Sequence, residues 1–326
     1  MANGNDIVKA LQTKAFNKGK DLSSVFTEML DTFIDFLSYD RLQSCGGDEV
    51  KVMETIKDND WFDTFEMWLE WTNARQRDGK VVDAFDFYES AVKSKGKADM
   101  LGQFYTPQCI CDMMGEVVYG GGCDKDVMVV NDCSVGSGRT LLGFANIVSV
   151  KKQPNVCYYL ANDIDAQSVK MCALNLAING LLGRVIHGDS LQLSYYGGYE
   201  VNEVKYPFHT DGICIRQLPK PQSDTPQEFN SYNSVGSQKM AYLDALYQCR
   251  IGNPSPCIEY LPENTAVLQR VTAEAYIITM SQRMAEYYNI QPKKETPQHE
   301  EPKVEKAPPT AVNADSKNWV QLSLFD

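Results

Sequence analysis

Val127-Met-Val-Val130-Asn-Asp132-Cys-Ser-Val-Gly136-Ser-Gly138, running on into Arg139-Thr-Leu-Leu-Gly-Phe144, is the stretch on which the fold turns. The unbroken apolar run Val127–Val130 reads as a strand buried on both faces, the habit of a parallel sheet. Glycines at 136 and 138 let the backbone turn tightly and approach a ligand closely. The spacing then predicts a helix near Arg139–Ser149, whose free amides point back at the turn. Taken alone, such a turn is also simply a strand-to-helix connection.

The surroundings repeat the pattern. A helix over Cys109–Tyr119 precedes the first strand. A second strand, Val156–Leu160, leads to Asn162-Asp163-Ile164-Asp165 and a helix over Gln167–Ile178. A third, Arg184–His187, ends in His187-Gly188-Asp189, and a fourth is expected at Gly212–Ile215. Strands alternating with helices predict a doubly wound α/β domain with a parallel sheet and right-handed crossovers. Asp132, Asp163 and Asp189 then line one edge of that sheet, where ligands bind in open α/β folds. A carboxylate at the second tip suits a ribose diol, and one at the third suits an adenine amine. The plainer alternative is three solvated aspartates capping helices.

Outside this core the chain changes character. Residues 1–100 read as a helical region, with apolar faces at helical spacing over 21–37, 60–72 and 81–92; these aromatics are expected to be core. Residues 101–290 form the α/β domain. Its later part is a Pro-rich loop after residue 216 and helices near 237–250 and 263–288, with no further strands evident. Residues 291–317, rich in Pro, Lys and Glu, are expected to be a disordered linker. Residues 318–326 turn apolar again. The net charge of −12 argues against a chain that coats nucleic acid by charge alone. Ten scattered cysteines and no CxxC fit free thiols in a reducing cytoplasm. No run is long enough to span a membrane, and no secretion signal is evident at the start.

Several motifs in order carry a resemblance: Phe87-Tyr88-Glu89, Gly102-Gln103-Phe104-Tyr105-Thr106-Pro107, the Asp132–Gly138 turn, Asn175-Leu-Ala-Ile-Asn-Gly180 and His187-Gly-Asp-Ser-Leu191. This set resembles the N6-adenine DNA methyltransferases, in particular the modification subunits of type I restriction systems. The resemblance implies a Rossmann-like S-adenosylmethionine-dependent methyltransferase fold, with a sheet that could be incomplete, and S-adenosylmethionine as cofactor. It puts Tyr105, Thr106 and Pro107 against the methionine moiety. Asp132, with Gly136, Ser137 and Gly138, lies near its amino-acid portion, Asp163 holds the ribose, and Asp189 the adenine amine.

The family also carries Asn/Asp-Pro-Pro-Tyr/Phe after its fourth strand, which grips the extruded base and its poorly nucleophilic amine. Here that position reads Arg216-Gln217-Leu218-Pro219, which lacks the acidic or amide grip and the stacking ring, so the catalytic residues are left unknown. Asn253-Pro254-Ser255-Pro256 follows a helix and reads as a helix-ending turn. Finally, Gln321-Leu322-Ser323-Leu324-Phe325 resembles the peptide by which bacterial polymerases and repair proteins dock on the replicative sliding clamp. A flexible leader gives such a peptide reach, and tethering supplies local concentration to an acidic protein. A tail packed on its own domain is the plainer alternative.

The expectation is therefore a cytoplasmic DNA-modification protein of a bacterium, bacterial virus or mobile element. Its expected partners are DNA, the clamp, and a specificity or catalytic subunit. Two alternatives stand beside it. One is a cofactor-binding pseudoenzyme serving as regulator or subunit. The other is a methyltransferase acting on RNA, protein or a small molecule, which the tail argues against.

Overall fold

The computed structural model describes residues 3–76, 80–88, 106–119, 122–123, 125–152, 154–203, 213–222, 225–259, 267–290 and, for the backbone, 319–321. The expected linker 291–317 lies outside the described residues, as do Tyr105 and Leu322–Phe325.

The first part is helical: α1 (Gly4–Lys18), α2 (Leu22–Phe36), α3 (Tyr39–Ser44), α4 (Glu49–Ile56) and α5 (Phe62–Arg75). Side-chain caps define several starts. Asn3 and Asp6 form a reciprocal capping box on α1, and Asp21 accepts from the Ser24 amide on α2. Val25, Phe26, Met29, Leu30 and Phe33 of α2 are buried, as their spacing predicts, and Phe33 packs against Phe65 and Trp68 of α5.

Then come α6 (Gln108–Tyr119), β1 (Val127–Asp132), α7 (Arg139–Val150), β2 (Val156–Asp163), α8 (Ala166–Ile178) and β3 (Leu182–Asp189). The three strands pair in parallel, with β2 between β1 and β3. Side chains alternate between two apolar layers. Met128, Val130, Tyr159, Ala161 and Val185 pack in one core that continues through α7 and α8 into the N-terminal helices. Val129, Tyr158 and Leu160 face the other way, onto α10 (Ser237–Arg250), α11 (Ser255–Glu259) and α12 (Val267–Tyr287). Both faces are covered, which is why the strands read as continuous apolar runs.

Three expectations need correction. Residues 81–88 do not continue a helix; they run as a strap whose backbone bonds asparagine side chains. Val81 exchanges two hydrogen bonds with Asn146, and Val82 two with Asn179. The strand after β3 is β4 (Ser194–Val201), which returns antiparallel. The expected fourth parallel strand at 212–215 is instead β5 (Ile215–Gln217), paired antiparallel with β4 at the sheet's far edge. On the other edge, β6 (Trp319–Gln321) lies parallel to β1, with Gln321 opposite Asn131. Asn253 and Pro254 lie in the turn that follows α10, as expected, while Ser255 and Pro256 open α11.

Candidate functional site

Because β1, β2 and β3 run in parallel, their C-terminal tips share one edge. The register puts Asp132 opposite Ala161, and Asp163 opposite His187. The turn after β1 needs its glycines: Gly136 and Gly138 have φ of 55° and 95°. A β-carbon on Gly138 would also come within 3.1 Å of the Cys172 sulfur of α8.

Two carboxylates hold this turn from opposite sides. Asp132 Oδ1 accepts from the Ser134 amide at 3.0 Å, and its other oxygen accepts the Thr140 hydroxyl. Asp163 Oδ2 accepts the Gly136 amide and Oδ1 the Asp165 amide, both at 2.8 Å. Burial pushes both carboxyls above their usual range, although these hydrogen bonds act the other way. In Asp163, the Asp132 charge adds to the rise. A carboxylate offers about four lone-pair directions, so each keeps acceptor capacity beyond these bonds.

Asp189 stands at the next tip but turns part of its carboxylate to its own loop: Oδ1 accepts the Leu191 and Gln192 amides, both at 2.9 Å. Asn162 steadies the β2 and β3 ends by donating to the Ile186 and Gly188 carbonyls. Two apolar side chains beside these acids stand in solvent, Ile164 at 61% and Leu191 at 95% exposure. Sequence reading passed over both; the signal was an apolar residue directly after, or two after, a strand-tip aspartate.

Thr106 and Pro107 lead into α6, whose packing brings the helix to the turn. A β-carbon on Gly143 of α7 would lie 2.5 Å from the Cys111 carbonyl, so only glycine permits this crossing. Cys111 lies in the field of Arg139 and Asp132, and burial pushes its thiol up to about 11. Two buried polar atoms of this neighbourhood, Ser137 Oγ and Gln108 Oε1, have no partner among the described residues.

Sequence reading also missed the buried support behind the turn. Arg139 pairs with Asp83 at 2.6 Å, and Asn175 bonds both Asp83 and the Ser137 carbonyl. A polar residue inside an otherwise apolar helix (Asn175) was the available clue.

Arg216, Gln217, Leu218 and Pro219 sit elsewhere. Arg216 pairs with Glu200, which also takes Arg184 at 3.2 Å. Gln217 is exposed. Leu218 is buried against Tyr195 and Phe229 of α9 (Pro226–Tyr232), and the Pro219 carbonyl accepts the Tyr195 hydroxyl at 2.7 Å. Four strand spacings of about 4.8 Å separate β5 from β1, roughly 19 Å. Two cavities also lie away from the tips. One, of about 200 Å³, is at the opposite ends of β2 and β3, beside Asn155 and Leu182. The other, of about 500 Å³, lies between Arg41 and Arg216. Among the described residues no metal-binding cluster occurs, and no helix is long and apolar enough to cross a membrane.

Comparison with known proteins falls on this region. Residues 81–202, from the strap to the end of β4, match the family described as N-6 DNA Methylase. Over 130 residues the chain is 28% identical to the type I restriction enzyme MpnII methylase subunit of Mycoplasma pneumoniae; the match spans 37% of this chain and 23% of that subunit. No solved structure matches. The segment that builds the strand tips is thus similar to the N-6 DNA methylases, and both matches support the N6-adenine methyltransferase family for it.

Proposed function

We propose that this chain binds S-adenosylmethionine at the tips of β1, β2 and β3 and serves as a methyltransferase-like component of DNA adenine-N6 modification. The observation that carries the reading is the Gly136 turn gripped by two carboxylates, Asp132 buried and Asp163 half-buried. The cofactor offers donors: an ammonium, two ribose hydroxyls and an adenine amine. The neighbourhood offers acceptors to match, in Asp132, Asp163 and Asp189, with Ser137 Oγ and Gln108 Oε1 unpartnered among the described residues. A helix N-terminus commonly takes phosphate, but a pyrophosphate here would meet Asp132 and Asp163 at close range. A cofactor of net positive charge is favoured instead.

Within this reading Asp163 holds the ribose diol and Asp189 the adenine amine. Ile164 and Leu191 offer apolar surface to the base. Asp132 and the turn, with Thr106, Pro107 and Tyr105, take the methionine end. Bound S-adenosylmethionine supplies an electrophilic methyl group.

The amine-gripping groups are a separate matter. The position of Arg216–Pro219, roughly 19 Å from β1 by strand count, favours a second reading. In it the chain is a cofactor-binding subunit without transferase activity of its own, and a partner completes the chemistry. Gln321–Phe325 would tether the chain to the sliding clamp in the cytoplasm of a bacterial host, with Gln321 leaving its place opposite Asn131 in β6 to do so.

Calorimetry with S-adenosylmethionine, then incubation with DNA read by methyladenine-sensitive sequencing, separates these readings. Binding with methylation supports the enzyme, and binding without it the subunit. Absence of binding refutes both. Deleting residues 321–325 should abolish capture by purified clamp; retained capture would remove the tether.

A further inference from the structure

Strand β1 lies between β2 and β6, and its two sides are covered unequally. β2 pairs with the whole strand, Val127–Asp132. β6 pairs only with Val129–Asn131, through Trp319, Val320 and Gln321. By burial β1 is nonetheless an interior strand: Val129 and Val130 are 3% and 0% exposed, on opposite faces of the sheet. The order β3-β2-β1 is one half of a doubly wound sheet, whose ligand crevice lies beside β1, where the second half begins. In this chain β6 takes that place. A sheet edge of this kind carries backbone groups that pair with any suitable extended segment.

β6 runs parallel to β1, so it ends toward the same tips as Asp132. Its last residue, Gln321, is also the first of Gln321–Phe325, the segment offered to the clamp. A groove that grips Gln321 must enclose it, whereas here its backbone is laddered opposite Asn131. The two placements share a residue and exclude each other.

We propose that the β1 edge is a docking surface for the chain's own Trp319–Gln321 segment, and that it competes with the sliding clamp for that segment. Docked on β1, the tail is withheld from the clamp; bound to the clamp, it leaves this side of β1 uncovered. The inference rests on the tether reading above and deepens it. The clamp affinity of the chain is then that of the free tail reduced by the undocked fraction. A three-residue ladder carries about two backbone hydrogen bonds, each worth a net factor of about two to ten. Ordering the tail offsets part of this, so docking should weaken clamp binding about three- to thirtyfold.

A purified bacterial sliding clamp is the probe, titrated by calorimetry with the chain and with a synthetic peptide of residues 319–326. Alternate residues of a strand bond the same neighbour, so Trp319→Pro with Val320→Pro removes a donor to β1 whichever set faces it. Both substitutions lie outside Gln321–Phe325, and peptides with and without them correct for any direct effect on the clamp. After that correction the double variant chain should bind the clamp about three- to thirtyfold tighter than wild type. Hydrogen exchange gives a second reading on the unaltered chain: saturating clamp should speed exchange within 127–132 and leave 156–163 unchanged. Thermal unfolding shows whether the double variant folds; if it does not, the exchange measurement carries the test. A folded variant no tighter than wild type, or exchange at 127–132 indifferent to bound clamp, overturns the competition and leaves the tether standing. A peptide that the clamp does not bind overturns the tether reading, and this inference with it.

Discussion

Replacing Asp163 by Asn separates what the residue does for the fold from what it does for a ligand. Its two oxygens each accept one backbone amide at 2.8 Å, from Gly136 and from Asp165. An amide side chain keeps one acceptor and sets an NH2 group against the other N–H. The lost charge-assisted bond is worth about 1.5–3 kcal/mol. Part of this returns, because burial already disfavours the charged form of Asp163. The net loss of unfolding free energy should therefore be about 1 kcal/mol, measurable by chemical denaturation. Binding has no such offset. A ribose diol facing one acceptor in place of two loses a charge-assisted bond, and the affinity for S-adenosylmethionine should fall about 10- to 150-fold. Calorimetry reads this directly. A folded Asp163→Asn protein whose dissociation constant stays within about twofold of wild type, well inside that window, would refute the ribose assignment.

Three further outcomes follow from the same geometry. Asp132 and Asp163 are both raised by burial, so the folded apo-protein holds protons that the unfolded chain has released. Its stability should fall as pH rises from the usual carboxylate value through the raised ones. Affinity for a cationic cofactor should rise over the same window as the carboxylates charge, and denaturation and calorimetry across that range should show opposite slopes. Gly143→Ala puts a β-carbon 2.5 Å from the Cys111 carbonyl and should cost about 1–3 kcal/mol by forcing α6 and α7 apart. Gly180→Ala, at φ +67° with nothing within 4 Å, should cost only the backbone strain of about 1 kcal/mol; thermal unfolding compares them. Arg216→Ala should leave both cofactor affinity and any DNA methylation unchanged, since Arg216 bonds Glu200 at the far edge; loss of methylation would return it to the chemistry.

The strand-tip half of the fold was legible because its signals are local. Val127–Val130 and Val156–Leu160 are apolar runs of strand length, and each is followed by an acid and a helical periodicity. The strap at 81–88 was misread because Val81, Phe85 and Tyr88 carry helical spacing, while their backbone partners are distant asparagines on α7 and α8. Spacing shows nothing of such long-range bonds. β4 was missed because Gly197 and Gly198 weaken a strand reading. Gly198 is there because a β-carbon would come within 2.4 Å of the Val185 carbonyl on β3. Without β4 in view, β5 looked like the next parallel strand. The aspartates of the site were readable as types at strand tips, but the bonds from Asp163 to Gly136 and from Asp83 to Arg139 depend on tertiary placement.

Cys133, exposed just past the tip of β1, offers the most direct test of where the cofactor lies. The intact chain is alkylated at increasing S-adenosylmethionine, and the rate at each cysteine is followed by peptide mass spectrometry. Cys45, at the end of α3, serves as internal reference. Saturable protection of Cys133 with no change at Cys45 is the expected result; a Cys133 rate indifferent to saturating cofactor would contradict a site at these strand tips.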